Sequence, residues 1–312
     1  MVASASQYAY HNDTAVTHEP RLRVWESLTA NRKHKAYLGL SGCVRFPSRQ
    51  RGLMHVGITG GRGVLGRILQ TQLAAAGHLH DCFGGDVRES KDLAAWLHPH
   101  RFDAIIHLAA LVPTQSVQTN PSRAFQVNVG GTANLIAAVG ASKPWIFYAS
   151  SSHVYQPQDA PLSESAPTAP AHPYGVSKLM GERVLAACAP AVGLDYCVGR
   201  IFSFYHPSQT GSFLYPSLLR RFVDEDLEKP FSLFGAEDIR DISPAEVLVA
   251  HIVTLAEKRA TGVVNIGSGQ GTRIADFAQA HAPRPLKVVN ASAVPPTSLV
   301  ADISLLHQLL GR

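Results

Sequence analysis

One short segment constrains this chain more than any other. An apolar run, His55–Thr59, leads directly into Gly60-Gly61-Arg62-Gly63-Val64-Leu65-Gly66 and then into a helical pattern over 64–76. A strand that turns through glycines into a helix is the opening unit of a parallel α/β sheet, because the chain must cross one face before the next parallel strand can pair. Gly60, Gly63 and Gly66 have the spacing GxxGxxG. Such a loop needs a tight turn, a backbone able to touch a pyrophosphate, and close helix–strand contact. Glycine serves each need because it has no Cβ. The helix N-terminus beyond the loop offers free N–H groups and a positive dipole end to phosphates. Residues Gly60, Gly61, Arg62, Gly63, Val64, Leu65 and Gly66 are therefore expected to cradle a dinucleotide. An ATP-type phosphate loop is disfavoured, since no Gly-Lys-Ser/Thr follows.

From Met54 onward, short apolar runs continue to alternate with helical stretches. Strands are expected at 103–108 (DAIIHL), 145–149 (WIFYA) and 196–201, and helices at 124–139 and 175–187. The fold class that follows is α/β, a Rossmann-type doubly wound parallel sheet over 54–204, with return elements near 241–268 that include 263–266. Beyond residue 205 the alternation weakens, and 205–312 is expected to form mainly a smaller substrate-binding lobe containing 214–222. The Pro-rich stretches at 157–173 and around Pro207 read as loops long enough to be functional.

Charge matters only once it is located. Residues 1–53 hold eight Lys/Arg and three acids, which accounts for the whole net charge of +5; the remaining 20 basic and 20 acidic residues cancel. The body of the chain thus has no electrostatic footprint for nucleic acid. The first 53 residues, without sustained periodicity, read as a flexible basic extension, with a docking arm as the alternative. No stretch approaches the roughly 18 apolar residues of a membrane span. The N-terminus has no secretory-signal layout. Four scattered cysteines form no CxxC pair, so the expectation is a cytoplasmic protein without a disulfide framework. The i,i+2 pairs His78/His80 and His98/His100 have no further ligands nearby, and no metal is expected.

The second strand of such a sheet ordinarily ends, about twenty residues after the glycines, in an acid that grips the adenosine ribose of NAD. Here Gly84 or Gly85 falls at that point, and Asp81 comes too early. Arg62 could instead reach a 2′-phosphate. The cofactor is read as NAD or NADP, with NADP favoured.

Tyr174-Gly175-Val176-Ser177-Lys178 places Tyr and Lys at i and i+4 on one helix face, entered after Pro173. A phenol near pKa 10 is a poor acid/base at neutral pH; a neighbouring ammonium and a nicotinamide's positive charge would favour its phenolate. Ser150-Ser151-Ser152-His153 follows the WIFYA strand at the carboxyl edge where such sheets bind ligands. Ser151, Tyr174 and Lys178 are the candidate catalytic set, with a hydroxyl, a proton-transfer group and a cation converging on one carbonyl oxygen. A catalytically silent dinucleotide sensor would not need all three.

Together these motifs carry a resemblance. TGGRGVLG (59–66), GDV (85–87), HLAA (107–110), NVGGT (128–132), SSHVY (151–155), YGVSK (174–178), RIFSFYHP (200–207), RDIS (240–243) and NIGSG (265–269) occur in an order and rough spacing similar to the extended short-chain dehydrogenase/reductases. The similarity is strongest to the nucleotide-sugar epimerase/dehydratase group that includes UDP-galactose 4-epimerase. It implies that Asp86 and Val87 contact adenine, and that Leu108, Ala109 and Ala110 wall the pyrophosphate and nicotinamide ribose. It also implies that Asn128 buttresses the central helix and that Arg240 clamps a nucleotide-sugar diphosphate, with an ordinary ion pair to Asp238 or Asp241 as its alternative. Ser152 and His153 would border the substrate, and a homodimer would pack through the helices at 124–139 and 175–187. Three departures limit the analogy. Ser203-Phe204-Tyr205-His206-Pro207 stands where relatives often have Asn-x-Tyr-Gly-Pro. Ser151-Ser152-His153 replaces the Thr-Asp-Glu of 4,6-dehydratases, so water elimination is not expected. His153 lies where fucose-synthase relatives carry a cysteine; it reads first as a structural histidine and second as an acid/base beside a sugar. The implied chemistry is reversible hydride transfer at a secondary alcohol or ketone, foremost C4 of a nucleotide sugar, with a non-sugar ketone or aldehyde as the alternative substrate.

Overall fold

The computed structural model describes residues 52–112 and 115–312. Nearly all of the basic extension therefore lies outside the described residues. Six parallel strands form the main sheet: His55–Thr59 (β1), Leu79–Phe83 (β2), Ala104–His107 (β3), Trp145–Ser151 (β4), Tyr196–Ile201 (β5) and a later strand, Gly262–Ile266. That strand is β9 after three intervening ones, Ser203–Tyr205 (β6), Pro230–Leu233 (β7) and Ile239–Pro244 (β8). The order is β2-β1-β3-β4-β5-β9. The order reverses at β1 and β3, the place where a doubly wound sheet opens a crevice beyond its carboxyl ends.

Helices cover both faces. Val64–Ala75 (α1) follows β1, and Ser90–Leu97 (α2) follows β2. Two short helices, Gln115–Thr119 (α3) and Pro121–Phe125 (α4), come next, and the segment expected as one helix over 124–139 holds the end of α4, one π-helical turn at Gln126–Gly130 and Gly131–Ala138 (α5). Asn128 sits in that wide turn, with its amide oxygen accepting from Leu111 N–H and its amide nitrogen donating to Leu111 C=O and Ser177 Oγ. Single π-turns of this kind are rare within helices and are frequent at functional sites. Pro173–Cys188 (α6) enters on Pro173, whose missing N–H costs nothing at that position. Leu214–Asp224 (α7), Ala245–Glu257 (α8), Ile274–His281 (α9) and Ser304–Leu310 (α10) complete the set.

The two faces have separate cores. Leu69 and Leu73 of α1 pack with Val56, Ile106, Phe147 and with Leu248 and Ile252 of α8. Opposite, Leu93, Ile105, Leu135, Tyr148, Leu185 and Val198 join α2, α5 and α6 to the sheet. Each such side chain contributes about 1.5–3 kcal/mol by leaving water. A third cluster around Leu218, Phe231, Leu233, Ile274 and Phe277 belongs to smaller sheets. In one, β8 pairs with β6, with Gly271–Arg273 (β10) and, after Lys287–Asn290 (β11), with Ser298–Leu299 (β12); in the other, β7 pairs with β11. Asp241 of β8 is fully buried and accepts from Ser268 N–H, Ser268 Oγ and Gly269 N–H, tying the turn after β9 to the smaller sheet.

β4 runs two residues beyond the expected WIFYA segment, because Ser150 and Ser151 still pair with Arg200 and Ile201 of β5. The first two serines of the run are thus part of the sheet, and Ser152 begins a short helical turn. Among the described residues no helix is long and apolar enough to cross a membrane.

Candidate active site

A cavity of about 1000 Å³ opens at the carboxyl ends of the strands, and every site residue expected from the sequence lines it. Gly60–Arg67 and Phe83–Val87 form one end, Leu108–Ala110, Ser151–His153, Tyr174 and Lys178 the middle, and Phe204, Tyr205, Phe213, Tyr215, Arg240 and Phe277 the other end.

The glycine loop is built for close approach. Gly60 has φ +77°, and a Cβ there would lie 2.6 Å from Ala109 N, so the loop packs on the 108–110 segment with no side chain between. A Cβ on Gly66 would overlap the Gly60 carbonyl oxygen. Gly63 N–H closes the turn onto Gly60 C=O at 3.0 Å, and the N-cap residue Gly63 supplies no side-chain acceptor to α1. The first-turn N–H groups face the cavity without a cap, the arrangement that suits a pyrophosphate. Gln70 braces the loop from behind, donating to Gly61 C=O and Gly66 C=O. A single glutamine gave no signal for this in the sequence.

Beneath the loop lies His107, which pattern reading left as a motif letter. Its Nδ1 is 2.6 Å from Thr59 Oγ1 and its Nε2 3.2 Å from Thr132 Oγ1, while Thr59 Oγ1 also accepts from Ala109 N–H. Burial, aided by the Lys178 charge, pushes the ring down to about 3, so it stays neutral.

Ser151 ends β4 and caps the short turn Ser152–Val154, accepting from His153 N–H at 3.2 Å. Its Oγ also lies 3.1 Å from His153 Nδ1. The His153 ring stands edge-on to Tyr174 at 5.9 Å, and burial, with Arg240 and His172 nearby, pushes it down to about 4. Tyr174 and Lys178 lie one turn apart on α6, both buried. Burial pushes the Tyr174 phenol up to about 12, opposed by a hydrogen bond with Ser151. Burial likewise pushes Lys178 down to about 7, against the pull of Glu182. Lys178 Nζ donates to Ala149 C=O at 2.6 Å and stands 5.0 Å over the Tyr148 ring. In this arrangement the one group that opposes the rise of the phenol is Ser151, and Lys178, expected from the sequence to lower it, does not act on it.

A buried network holds these groups. Glu182 of α6 takes a hydrogen bond from Ser150 Oγ and a two-pronged one from Arg200. Arg200 lies 4.7 Å over the Tyr155 ring, whose hydroxyl donates to Asn265. Ser150, Glu182, Arg200 and Asn265 escaped the sequence reading, although Arg200 and Asn265 each open a quoted motif. Arg240 borders the cavity, but its guanidinium already donates to Asp238 Oδ2, Thr297 Oγ1 and two carbonyls. The ion pair with Asp238 considered from sequence is present, and it coexists with a place on the cavity wall. Asp86 is held by Arg88 through a two-pronged pair, which keeps its carboxyl below the usual carboxylate range.

Residues 56–267 match the model of the NAD dependent epimerase/dehydratase family. The chain belongs to this family. A UDP-glucose 4-epimerase of Lactobacillus helveticus is 28% identical over 263 residues, covering 73% of this chain and 77% of that protein. A GDP-6-deoxy-D-mannose reductase of Pseudomonas aeruginosa is 31% identical over 238 residues, covering 70% and 76%. The solved structure of RMD from Pseudomonas aeruginosa complexed with NADPH superposes with a TM-score of 0.73 at 26% identity, over 83% of this chain and 92% of that one. Like its family, the chain is an NAD(P)-dependent enzyme of the extended short-chain dehydrogenase/reductase type. The bare glycine loop, the uncapped helix start and a cavity of about 1000 Å³ suit NAD or NADP.

Proposed function

We propose that this family member transfers hydride between C4 of the nicotinamide and a secondary alcohol or ketone of a nucleotide sugar, foremost at sugar C4, with Ser151, Tyr174 and Lys178 as its catalytic residues. One observation carries the reading: these three side chains share the middle of a single cavity, between the glycine loop and the Arg240 end. The bound cofactor supplies or accepts the hydride and, when oxidised, brings a positive charge that draws the Tyr174 phenol toward ionisation. Tyr174, held as a phenol, is ready to donate its proton to a ketone oxygen. Ser151 offers the same oxygen a hydrogen bond, its own hydroxyl oriented by His153. Lys178 serves as the cation beneath the phenol and as a donor toward the ribose side. Return of hydride to the opposite face of the sugar gives epimerisation; exchange of the cofactor gives net reduction.

The epimerase and reductase named among its relatives support the substrate class. A non-sugar ketone is the second reading, favoured by Phe204, Tyr205, Phe213, Tyr215 and Phe277 on the far wall and by an Arg240 already paired with Asp238. A thermal-shift panel of UDP-, GDP- and dTDP-sugars with each dinucleotide separates the two, since a ligand bound only by the folded state raises its stability. A shift with one nucleotide sugar supports the first reading, and none with any supports the second. Tyr174→Phe is expected to keep dinucleotide binding and lose about 100-fold or more in turnover. A fully active variant overturns the catalytic assignment.

A further inference from the structure

Lys178 carries its ammonium into a setting with no carboxylate bonded to it. The residue is 3% exposed, so its charged form has little water around it. Ala149 C=O takes one of its three N–H donors at 2.6 Å, which leaves two for a ligand in the cavity it lines. Glu182, one turn further along α6, draws Lys178 toward the charged form, but its carboxylate is already matched. Arg200 donates to it through Nε and Nη2, and Ser150 Oγ adds a third bond. The Arg200 charge therefore offsets the pull of Glu182 on any third group. On β3, burial keeps the His107 ring neutral, and Tyr174, one turn earlier on α6, is held as a phenol. Neither supplies a counter-charge.

What meets the ammonium is an aromatic face. Lys178 Nζ stands 5.0 Å over the centroid of the Tyr148 ring, inside the range of about 6 Å in which a ring quadrupole attracts a cation. Removal from water strengthens that attraction. The ring is fixed in place: Tyr148 is 1% exposed on β4, its hydroxyl donates to Lys178 C=O at 3.3 Å, and the His107 ring lies 5.9 Å away. A Cβ on Gly181 would overlap the Tyr148 hydroxyl, so the bare glycine lets α6 come close enough for Lys178 to sit over the ring. The hydroxyl thus serves the helix backbone, and the face serves the cation.

We infer that Tyr148 is a positioning residue for the proposed reaction, its ring face standing in for a carboxylate beneath Lys178 and holding the ammonium charged at the cavity wall. The inference rests on the reading of Lys178 as the cation of the site, and a direct titration tests it without turnover. The titration is followed by NMR on the full chain grown with isotope-labelled lysine, the Lys178 signal being assigned by its loss in Lys178→Met. Tyr148→Leu removes the face and keeps an apolar side chain; it is expected to lower the Lys178 midpoint by about 0.5–1.5 pH units, because the charged form loses its partner. Tyr148→Phe keeps the face and loses only the hydroxyl, and is expected to stay within about 0.3 units of the parent. Tyr148→Met makes the same removal as the leucine should that variant not fold. At a pH above the midpoint, kcat of Tyr148→Leu is expected to fall about three- to thirtyfold with the charged fraction, and Tyr148→Phe to recover it. A midpoint unmoved by loss of the ring overturns the inference. An equal fall in Tyr148→Phe also overturns it, since the hydroxyl would then be the group that matters. A midpoint lowered by loss of the ring alone, with turnover unchanged, bears out the hold on the ammonium and overturns the catalytic reading of Lys178 instead.

Discussion

Acidification is expected to weaken this fold through one histidine by an amount the structure sets. His107 is buried between Thr59 and Thr132, and both ring nitrogens are engaged by hydroxyls. Its folded-state pKa is pushed down to about 3 from the ordinary 6.5, chiefly by desolvation. In the unfolded chain the ring takes up a proton as pH falls through 6.5, whereas the folded chain resists until near 3. Between those values the unfolded state binds more protons, so stability falls as pH falls. At about pH 5 the ring is about 1.5 units below its unfolded pKa, which corresponds to about 2 kcal/mol at 1.36 kcal/mol per unit. His107→Gln keeps polar atoms near both threonines and has no proton to gain. Urea unfolding of both proteins at about pH 7.5 and about pH 5 isolates the effect. The other depressed histidines, His153 and His251, are common to both proteins and cancel in the comparison. The parent is expected to lose about 2 kcal/mol more than the variant on acidification. Equal losses in the two proteins would mean that His107 is not the buried neutral group described, and the reasoning from its burial would fail.

Three further outcomes follow from the same contacts. Gly175→Ala would drive a Cβ into the His153 carbonyl oxygen, so α6 must shift against the end of β4; a loss of about 1–3 kcal/mol and a marked fall in turnover are expected by urea unfolding and steady-state assay. Glu182→Gln leaves the buried Arg200 without its counter-charge and is expected to destabilise by about 3 kcal/mol, measurable by the same unfolding experiment. His153→Asn is expected to lower kcat less than about tenfold and to leave the pH profile between about 5 and 8 in place, because the ring is neutral and serves Ser151; loss of a pH limb would make it an acid/base instead.

The elements around the glycine loop were legible because their sequence signals are local. β1 and β5 coincide with the apolar runs read from the chain, and the glycine loop announces its turn at Gly60. What escaped was long-range. The resemblance implied that Asn128 braces the central helix, as its bond to Ser177 does, but no periodicity reveals its bonds to Leu111 or the π-turn at Gln126–Gly130, which reads as continuous helix. α6 hides its inward face for a similar reason, since Ser177, Lys178 and Glu182 are buried there as polar residues. A polarity pattern counts them as surface. Ser150 and Ser151, placed just after the WIFYA strand by their polarity, are kept in β4 by pairing with Arg200 and Ile201. The ion pair of Arg240 with Asp238 was foreseeable from spacing, whereas its bonds to Thr297, far along the chain, were not.

The seating of α6 has a consequence for how such an enzyme changes over time. A Cβ at Gly175 would overlap the His153 carbonyl, and one at Gly181 would overlap the Tyr148 hydroxyl. The helix thus lies close against the end of β4 at both points, and the proposed set of Ser151, Tyr174 and Lys178 is carried there much as a die is held in its block. A die of fixed shape is retooled by changing how the workpiece is presented. On the proposed mechanism, substitutions among Tyr205, Phe213, Tyr215 and Phe277 can turn a different carbon toward the same phenol while the geometry around it is inherited. New substrates are then accessible through side chains whose replacement leaves the main sheet's packing untouched.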